Sequence, residues 1–191
     1  MAGEYTRSEI LSQPEVWAAA LHSIQSQADA LQAFYRQGQY DQIVFTGCGS
    51  TYYLALAAAA LTQSLVGIPT RGVPASEAWL NPAVVYPSGQ RTLLIAVSRS
   101  GETTETLRAG DAFLAQRRGD FLTLSCYPGR ALAQMGALNL LFPEAQEESL
   151  AQTRAFSTLY LAAAALAAVW AGRADLLSQF AALPQVGRRL L

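Results

Sequence analysis

Five short apolar runs, each closed by small or polar residues and separated by helical stretches, constrain this chain more than any other feature. They fall at residues 43–46, 70–73, 93–97, 121–125 and 138–142. The runs are continuous rather than alternating, as in strands covered on both faces, and covering on both faces marks a parallel sheet. Between them, residues 51–66 and 103–118 read as helices, 131–135 as a short helix and 76–80 as an irregular piece, with a further helix over 153–170. This order predicts an α/β fold. It is a three-layer αβα domain on a doubly wound five-stranded parallel sheet, with the flavodoxin-like order 2-1-3-4-5. An N-terminal helix over 9–37 precedes it, from the helical spacing of Val16, Ala20, Ile24, Ala28, Leu31 and Tyr35, with Pro14 early and Gly38 as a stop. A length of 191 residues suits one such domain. The expected organisation is a helical lead-in over 1–40, the sheet domain over 41–172 and a helical tail over 173–191, its one short helix ending near Pro184.

In such a sheet, ligands bind beyond the carboxyl ends of the strands, where the strand order reverses. That places the chemistry after Thr46 and after Val97. Composition narrows what the chemistry is. All 13 basic residues are arginine, which removes Schiff-base chemistry and the P-loop lysine. His22 is the one histidine, and it reads as structural. Cys48 and Cys126 form no CxxC pair, so neither a disulfide framework nor a zinc site is expected, and a reducing cytoplasmic compartment fits them. A net charge of -1 leaves no basic footprint for nucleic acid. With 51% hydrophobic and 14% charged residues, disorder is excluded. The uncharged stretch AFSTLYLAAAALAAVWAG at 155–172 approaches the length of a membrane span. Alanine contributes little transfer energy, so it reads as a helix buried in the fold. The opening MAGEYTRSEI holds acidic residues and no apolar run, and does not read as a secretory signal.

Three stretches carry candidate chemistry. The first loop is Thr46-Gly47-Cys48-Gly49-Ser50-Thr51: glycines let the backbone approach an anion, and a helix start supplies free N–H groups beside two hydroxyls. A plain glycine turn with a Ser/Thr cap is the alternative. A dinucleotide site is the rival, because Gly47-Cys48-Gly49 begins a GxGxxG. Tyr52 stands at the third glycine, however, and no Asp or Glu lies between Asp41 and Glu77 to hold a ribose, leaving only Arg71 for a 2′-phosphate. The second loop is Ser98-Arg99-Ser100-Gly101-Glu102-Thr103, with three hydroxyls and a glycine at another helix start. It does not fit GxSxG, so a nucleophile elbow is not indicated. Glu102 and Glu105 suit the first turn of a helix, where the dipole favours acids. The third stretch, residues 147–157, brings Glu147 and Glu148, then Gln152, Thr153 and Arg154, to the same sheet edge. It reads either as an acidic helix start or as the wall of a pocket.

These motifs resemble the SIS (sugar isomerase) phosphosugar-binding domain across residues 43–170. The resemblance rests on Gly-Cys-Gly-Ser-Thr at 47–51, Ser-Arg-Ser-Gly-Glu-Thr at 98–103, and Glu-Ser-x-Ala-Gln-Thr-Arg-Ala-Phe-Ser at 148–157. The lead-in Arg7-Ser8-Glu9-Ile10, with Gln13-Pro14, is similar to the isomerase half of glutamine–fructose-6-phosphate aminotransferases. The third motif leans towards the tagatose-6-phosphate ketose/aldose isomerase and amino-sugar-phosphate deaminase branch. The resemblance implies that Gly49, Ser50 and Thr51, with Ser98, Arg99, Ser100, Gly101 and Thr103, bind the phosphate of a sugar, and that Gln152 and Thr153 line the sugar. Arg99 stands where the aminotransferase usually has glutamine, and could add charge near the phosphate. The implied substrate is a hexose 6-phosphate or amino-sugar 6-phosphate. The implied reaction is aldose–ketose isomerisation, or amine gain or loss at carbon 2, through an enediol or enolamine. Glu147 or Glu148 is the candidate proton carrier, and neither metal nor cofactor is called for. Related enzymes carry two SIS copies in tandem, and each motif occurs here once. The chain is therefore expected to be the first half of such an enzyme, or to pair as a homodimer or with a tandem SIS partner through the first helix and the helix over 153–170. A non-catalytic phosphosugar sensor shares every motif and stays open as the alternative.

Overall fold

The computed structural model of the chain describes residues 3–191, so the first two residues of the expected lead-in lie outside the described residues. Strands β1 (Gln42–Gly47), β2 (Thr70–Pro74), β3 (Thr92–Ser98), β4 (Gly119–Ser125) and β5 (Leu138–Leu141) form one sheet in the order β2-β1-β3-β4-β5, with every pair parallel. This is the doubly wound order expected. Every residue of β1 and β3 is buried, because central strands are covered on both faces, and this explains their unbroken apolar sequences.

The helices are α1 (Glu4–Leu11), α2 (Gln13–Ser26), α3 (Ala28–Gly38), α4 (Ser50–Val66), α5 (Ala75–Leu80), α6 (Pro82–Val85), α7 (Thr104–Gln116), α8 (Arg154–Trp170), α9 (Ala174–Phe180) and α10 (Leu183–Leu190). They divide between the two faces by the two-residue period of the strands. Ile43, Phe45, Leu93, Ile95 and Val97 point to one side, where α2, α3, α4 and α8 bury Ile24, Leu31, Leu54 and Leu159. Val44, Leu94 and Ala96 point to the other, against Ala78 of α5, Tyr86, and Phe113 of α7. The lead-in shares the first of these cores.

Several elements differ from expectation for local reasons. The helix over 9–37 is three helices. Ser12 turns its hydroxyl back to the Glu9 carbonyl, with Pro14 in the first turn that follows. At the second break, Ser26 Oγ and Gln27 Nε2 both donate to the Ser23 carbonyl, competing with the backbone ladder. Residues 76–80 lie within the helix α5, and 131–135 form a 3-10 turn over Ala131–Gln134. The tail is two helices: Pro184 opens α10 instead of closing its predecessor, which a first turn tolerates. Helix α8 buries 13 of its 17 residues. Its alanines let it lie close against α2, α3 and α4, so most of this helix is covered within the chain. Among the described residues no helix is long and apolar enough to cross a membrane.

A close approach of helix to strand is at Gly72 of β2, where a Cβ would sit 2.7 Å from Leu56 N and 2.8 Å from Leu56 Cα. Both atoms belong to the backbone of α4, so no side chain can swing away. Gly72→Ala is expected to lower stability by about 1–3 kcal/mol, read as a lower urea midpoint at unchanged slope. An unchanged midpoint would show that α4 does not sit on β2 as described.

Candidate functional site

The site is built from three segments at the carboxyl edge of the sheet. Loop 1 links β1 to α4. Gly49 has φ 59 and ψ -126, a conformation that only glycine adopts readily. At Gly47 a Cβ would fall 2.6 Å from Thr51 Oγ1, so this glycine is needed for the loop to fold back on itself. The Thr51 hydroxyl is buried. It accepts from the Cys48 N–H at 3.0 Å and donates to the Cys48 carbonyl at 2.9 Å. Thr51 thus shapes the loop from within. Ser50, in contrast, is exposed at the mouth, on the first turn of a 17-residue helix whose leading amides have no intrahelical acceptor. Burial, reinforced by the charge of Glu105, pushes the Cys48 thiol above its ordinary range, so it is protonated at neutral pH.

Loop 2 links β3 to α7. Gly101 has φ 66, and its amide donates to Ser98 Oγ at 3.2 Å. The Glu102 amide donates to Ser100 Oγ at 3.3 Å, and Thr103 Oγ1 lies 3.3 Å from Ser98 Oγ and 3.4 Å from Ser100 Oγ. The three hydroxyls form one cluster. Its internal hydrogen bonds are long, so each can be exchanged cheaply for a better acceptor. Loop 2 and loop 1 leave neighbouring strands: Thr46 of β1 is paired with Ala96 of β3. Beside loop 2 a cavity of about 210 Å³ is lined by Arg99, Ser100, Glu102, Tyr127 and Arg130. Arg130 closes on Glu102 at 2.6 Å.

The third segment, residues 147–153, is a wall without regular structure. The Glu147 side chain is fully buried. Its Oε1 accepts from the Thr153 amide (2.8 Å), the Thr153 hydroxyl (3.0 Å) and the Ala155 amide (3.1 Å). This carboxylate caps α8, and the Thr153 hydroxyl is used in the same contact. Glu148 is exposed, and of the two carboxylates it alone faces solvent. Gln152 is half-buried, and its Oε1 has no protein partner. Arg99 does not point its charge into loop 2. Its Nη1 donates to the carbonyls of Ser149 (2.9 Å) and Leu150 (3.3 Å), and lies 3.4 Å from Glu147 Oε2.

Glu9 and Tyr127, which the sequence reading does not place in the site, hold this wall together with Arg154, which it does. Glu9, buried in α1, accepts from the amides of Glu148 (2.7 Å) and Ser149 (3.1 Å). Burial alone would raise the Glu9 carboxyl. The Ser149 hydroxyl, the Ser149 and Glu148 amides and the nearby Arg154 charge outweigh it and hold the carboxyl below the usual carboxylate range. Tyr127 Oη donates to the Glu147 carbonyl at 3.0 Å, and Arg154 donates to Ser12 Oγ (2.8 Å) and the Gln146 carbonyl. Arg71, the one residue left for a 2′-phosphate, instead caps α6 through the carbonyls of Val84 and Val85. His22 is exposed on α2, in a recess formed with α10. Among the described residues no group of three or more His, Cys, Asp and Glu side chains is placed to hold a metal ion.

The fold is a doubly wound parallel α/β domain with two hydroxyl-bearing glycine loops on its adjacent central strands. The chain belongs to the SIS domain family, whose model matches residues 39–169. It is 33% identical over 162 residues to a glutamine--fructose-6-phosphate aminotransferase [isomerizing] of Chlamydia caviae, a match covering 82% of this chain and 26% of that protein. The chain therefore spans about a quarter of the length of such relatives. The crystal structure of tagatose-6-phosphate ketose/aldose isomerase from Escherichia coli superposes with a TM-score of 0.85 at 23% identity, over 98% of this chain and 53% of that one. The C-terminal domain of glucosamine-fructose-6-phosphate aminotransferase from Francisella tularensis superposes with a TM-score of 0.78 at 19% identity, over 98% of this chain and 54% of that one. At these identities the two structures share the fold.

The Glu9 geometry carries a pH signature. A carboxyl depressed in the folded state stabilises the fold above its unfolded pKa, and the contribution fades as pH falls through the folded value. The stability gap between the parent chain and Glu9→Gln should therefore be full at pH 7 and shrink below about pH 4, the unfolded carboxylate range. Urea unfolding of both proteins at pH 7 and pH 3 checks this; an equal gap at both would mean that Glu9 is not ionised against the wall.

Proposed function

We propose that this chain grips the phosphate of a hexose 6-phosphate or amino-sugar 6-phosphate between loop 1 and loop 2, with Gln152 and Thr153 on the sugar side. The observation that carries the reading is the pairing of these loops on the adjacent strands β1 and β3. Ser50 is exposed on one loop, and the Ser98, Ser100 and Thr103 hydroxyls cluster on the other. The grip consists of hydroxyls and amides at two helix starts, a neutral donor set that suits a dianion without lysine. Gly49, Thr51, Gly101 and the Arg99 backbone shape it.

The reaction class is aldose–ketose isomerisation, alone or joined to amine gain or loss at carbon 2. In the isomerisation a proton leaves carbon 2 and is delivered to carbon 1, while the hydroxyl proton passes from O2 to O1 through an enediol. The amino counterpart is an enolamine. Phosphate binding distant from these carbons supplies orientation. Glu148 is the proton carrier in this reading, because it is the exposed carboxylate of the wall, and Glu147 positions it by capping α8. The assembly expected is a homodimer or a pairing with a tandem SIS partner, in a reducing cytoplasm that keeps Cys48 and Cys126 free. The alternative is a phosphosugar-binding module without turnover. It draws support from the enclosure of Glu147, which leaves the wall a single free carboxylate.

Calorimetric titration with fructose 6-phosphate, glucosamine 6-phosphate and the unphosphorylated sugars tests the grip. The phosphates should bind and the free sugars should not. The double variant Ser50→Ala/Ser100→Ala should bind the phosphates at least about a hundredfold more weakly, at roughly 1.5–3 kcal/mol per hydroxyl bonded to a charged group. Equal affinity of the double variant would remove the reading. Proton NMR of fructose 6-phosphate in D₂O then separates the two functions. Deuterium entering carbon 1 in the presence of the parent chain, and not with Glu148→Gln, is expected of the isomerase; none with either is expected of the module.

A further inference from the structure

Residues 148–150 are held between opposite charges in a way that neither the sequence motifs nor the phosphate grip requires. Their amides face an anion: Glu9 Oε1 accepts from Glu148 N and Ser149 N. Their carbonyls face a cation: Arg99 Nη1 donates to Ser149 O and Leu150 O. The two hands come from distant parts of the chain. Glu9 belongs to α1 in the lead-in. Arg99 belongs to loop 2, between two of the hydroxyls of the phosphate grip. The Arg99 backbone is itself pinned, because its carbonyl accepts from Cys126 N at 3.2 Å.

We propose that Arg99 is a positioning residue that couples the phosphate loop to the wall: seating a phosphate in loop 2 orders residues 147–153 and so places Glu148. The proposal rests on the phosphosugar reading above. Its physical basis is a difference in tightness. Within loop 2 the hydroxyl and amide contacts run from 3.2 to 3.4 Å. The Arg99 contact to the Ser149 carbonyl is 2.9 Å and charge-assisted. An anion that recruits the loose hydroxyls and amides of loop 2 settles the loop. Arg99 passes that order to the wall through its strongest contact. The wall needs such a tie, since it has no regular structure of its own and Leu150 at its tip is 94% exposed. Arg99 is also 18% exposed in its side chain, beside a Glu147 side chain that is not exposed at all. Its charge is therefore spent on the wall, and the phosphate is left to neutral donors.

Hydrogen–deuterium exchange of the full chain, followed by mass spectrometry, tests this with fructose 6-phosphate and inorganic phosphate as probes. In the ligand-free protein, Arg99→Gln should exchange residues 147–153 about tenfold faster than the parent, while Glu9 and Tyr127 keep the wall attached and the sheet unchanged. An unchanged rate there overturns the proposal without reference to any ligand. With either probe, the parent should gain protection in both 98–103 and 147–153. In Arg99→Gln only 98–103 should gain it, and Arg99→Lys, which restores a cationic donor, should recover protection of the wall. Protection of the wall in Arg99→Gln equal to the parent's, or protection by fructose 6-phosphate but not by phosphate, refutes the coupling, because the wall then senses the sugar directly. If neither probe protects loop 2 of the parent, the phosphosugar reading fails, and the ligand-free comparison alone decides whether Arg99 holds the wall.

Discussion

The pairing of β1 with β3 is the contact on which the rest depends. These two strands lie side by side in parallel, Ile43 against Leu93 and Thr46 against Ala96, and both are buried along their whole length. The chain leaving β1 crosses to one face through α4, and the chain leaving β3 crosses to the other through α7. Two helix starts are thus brought to one rim and then directed apart, as at the switch point of a doubly wound sheet. Loop 1 and loop 2 are neighbours for this reason. Neither loop would have a partner if the strand order were simply sequential.

Thirteen arginines and no lysine look at first like an abundant supply for anion recognition. The arginines near the sheet edges are spent elsewhere. Arg71 caps α6, Arg130 pairs with Glu102, Arg154 reaches Ser12, and Arg99 ties the wall. Arg91 with Asp120, Arg173 with Asp175 and Arg188 with Glu15 form exposed pairs that contribute little to stability. A guanidinium suits this work, since its donors bind carbonyls and carboxylates as readily as phosphate. The proposed anion grip is then left to hydroxyls and backbone amides, on loops shaped by glycine-dependent turns at Gly49 and Gly101.

How much of this was legible follows the range of the interactions. Strands were readable because burial on both faces writes itself as unbroken apolar runs. The two loops were readable because a positive φ demands glycine at Gly49 and Gly101, and the hydroxyls stand next to them. The helix breaks at Ser12 and Gln27 were not, since they turn on side chains bonding to carbonyls three or four residues back, which compete weakly with a good helical period. The contacts of Thr51 within loop 1 were not legible either, for a related reason. Nothing in the sequence shows that this hydroxyl is bonded to Cys48 on both its donor and acceptor sides. The role of Glu147 was hidden because it caps α8 from outside the helix, across six and eight residues. Arg99 and Glu9 were hidden more deeply. Their contacts with Ser149 span 50 and 140 residues, and no local pattern carries such a distance.

The same contacts change what counts as the functional unit. The family model covers residues 39–169, yet the wall of the site is fastened from outside that span. Glu9 holds its amides, Thr6 Oγ1 lies 2.8 Å from Ser149 Oγ, and Ser12 receives Arg154. Gln13 Oε1 accepts from Ser157 Oγ at 2.6 Å, and Trp17 Nε1 donates to the same hydroxyl at 2.9 Å. A buried carboxylate such as Glu9 is costly unless its hydrogen bonds are supplied, and here they come from the backbone of the wall. The cost and its compensation lie on different segments, so each fixes the other. Removing the lead-in would leave the amides of residues 148 and 149 without their acceptor, and the wall tied by Arg99, Tyr127 and the Glu147 cap on α8. The helices preceding the sheet are in this sense part of the site, and the smallest piece expected to hold its wall in place begins before Glu9.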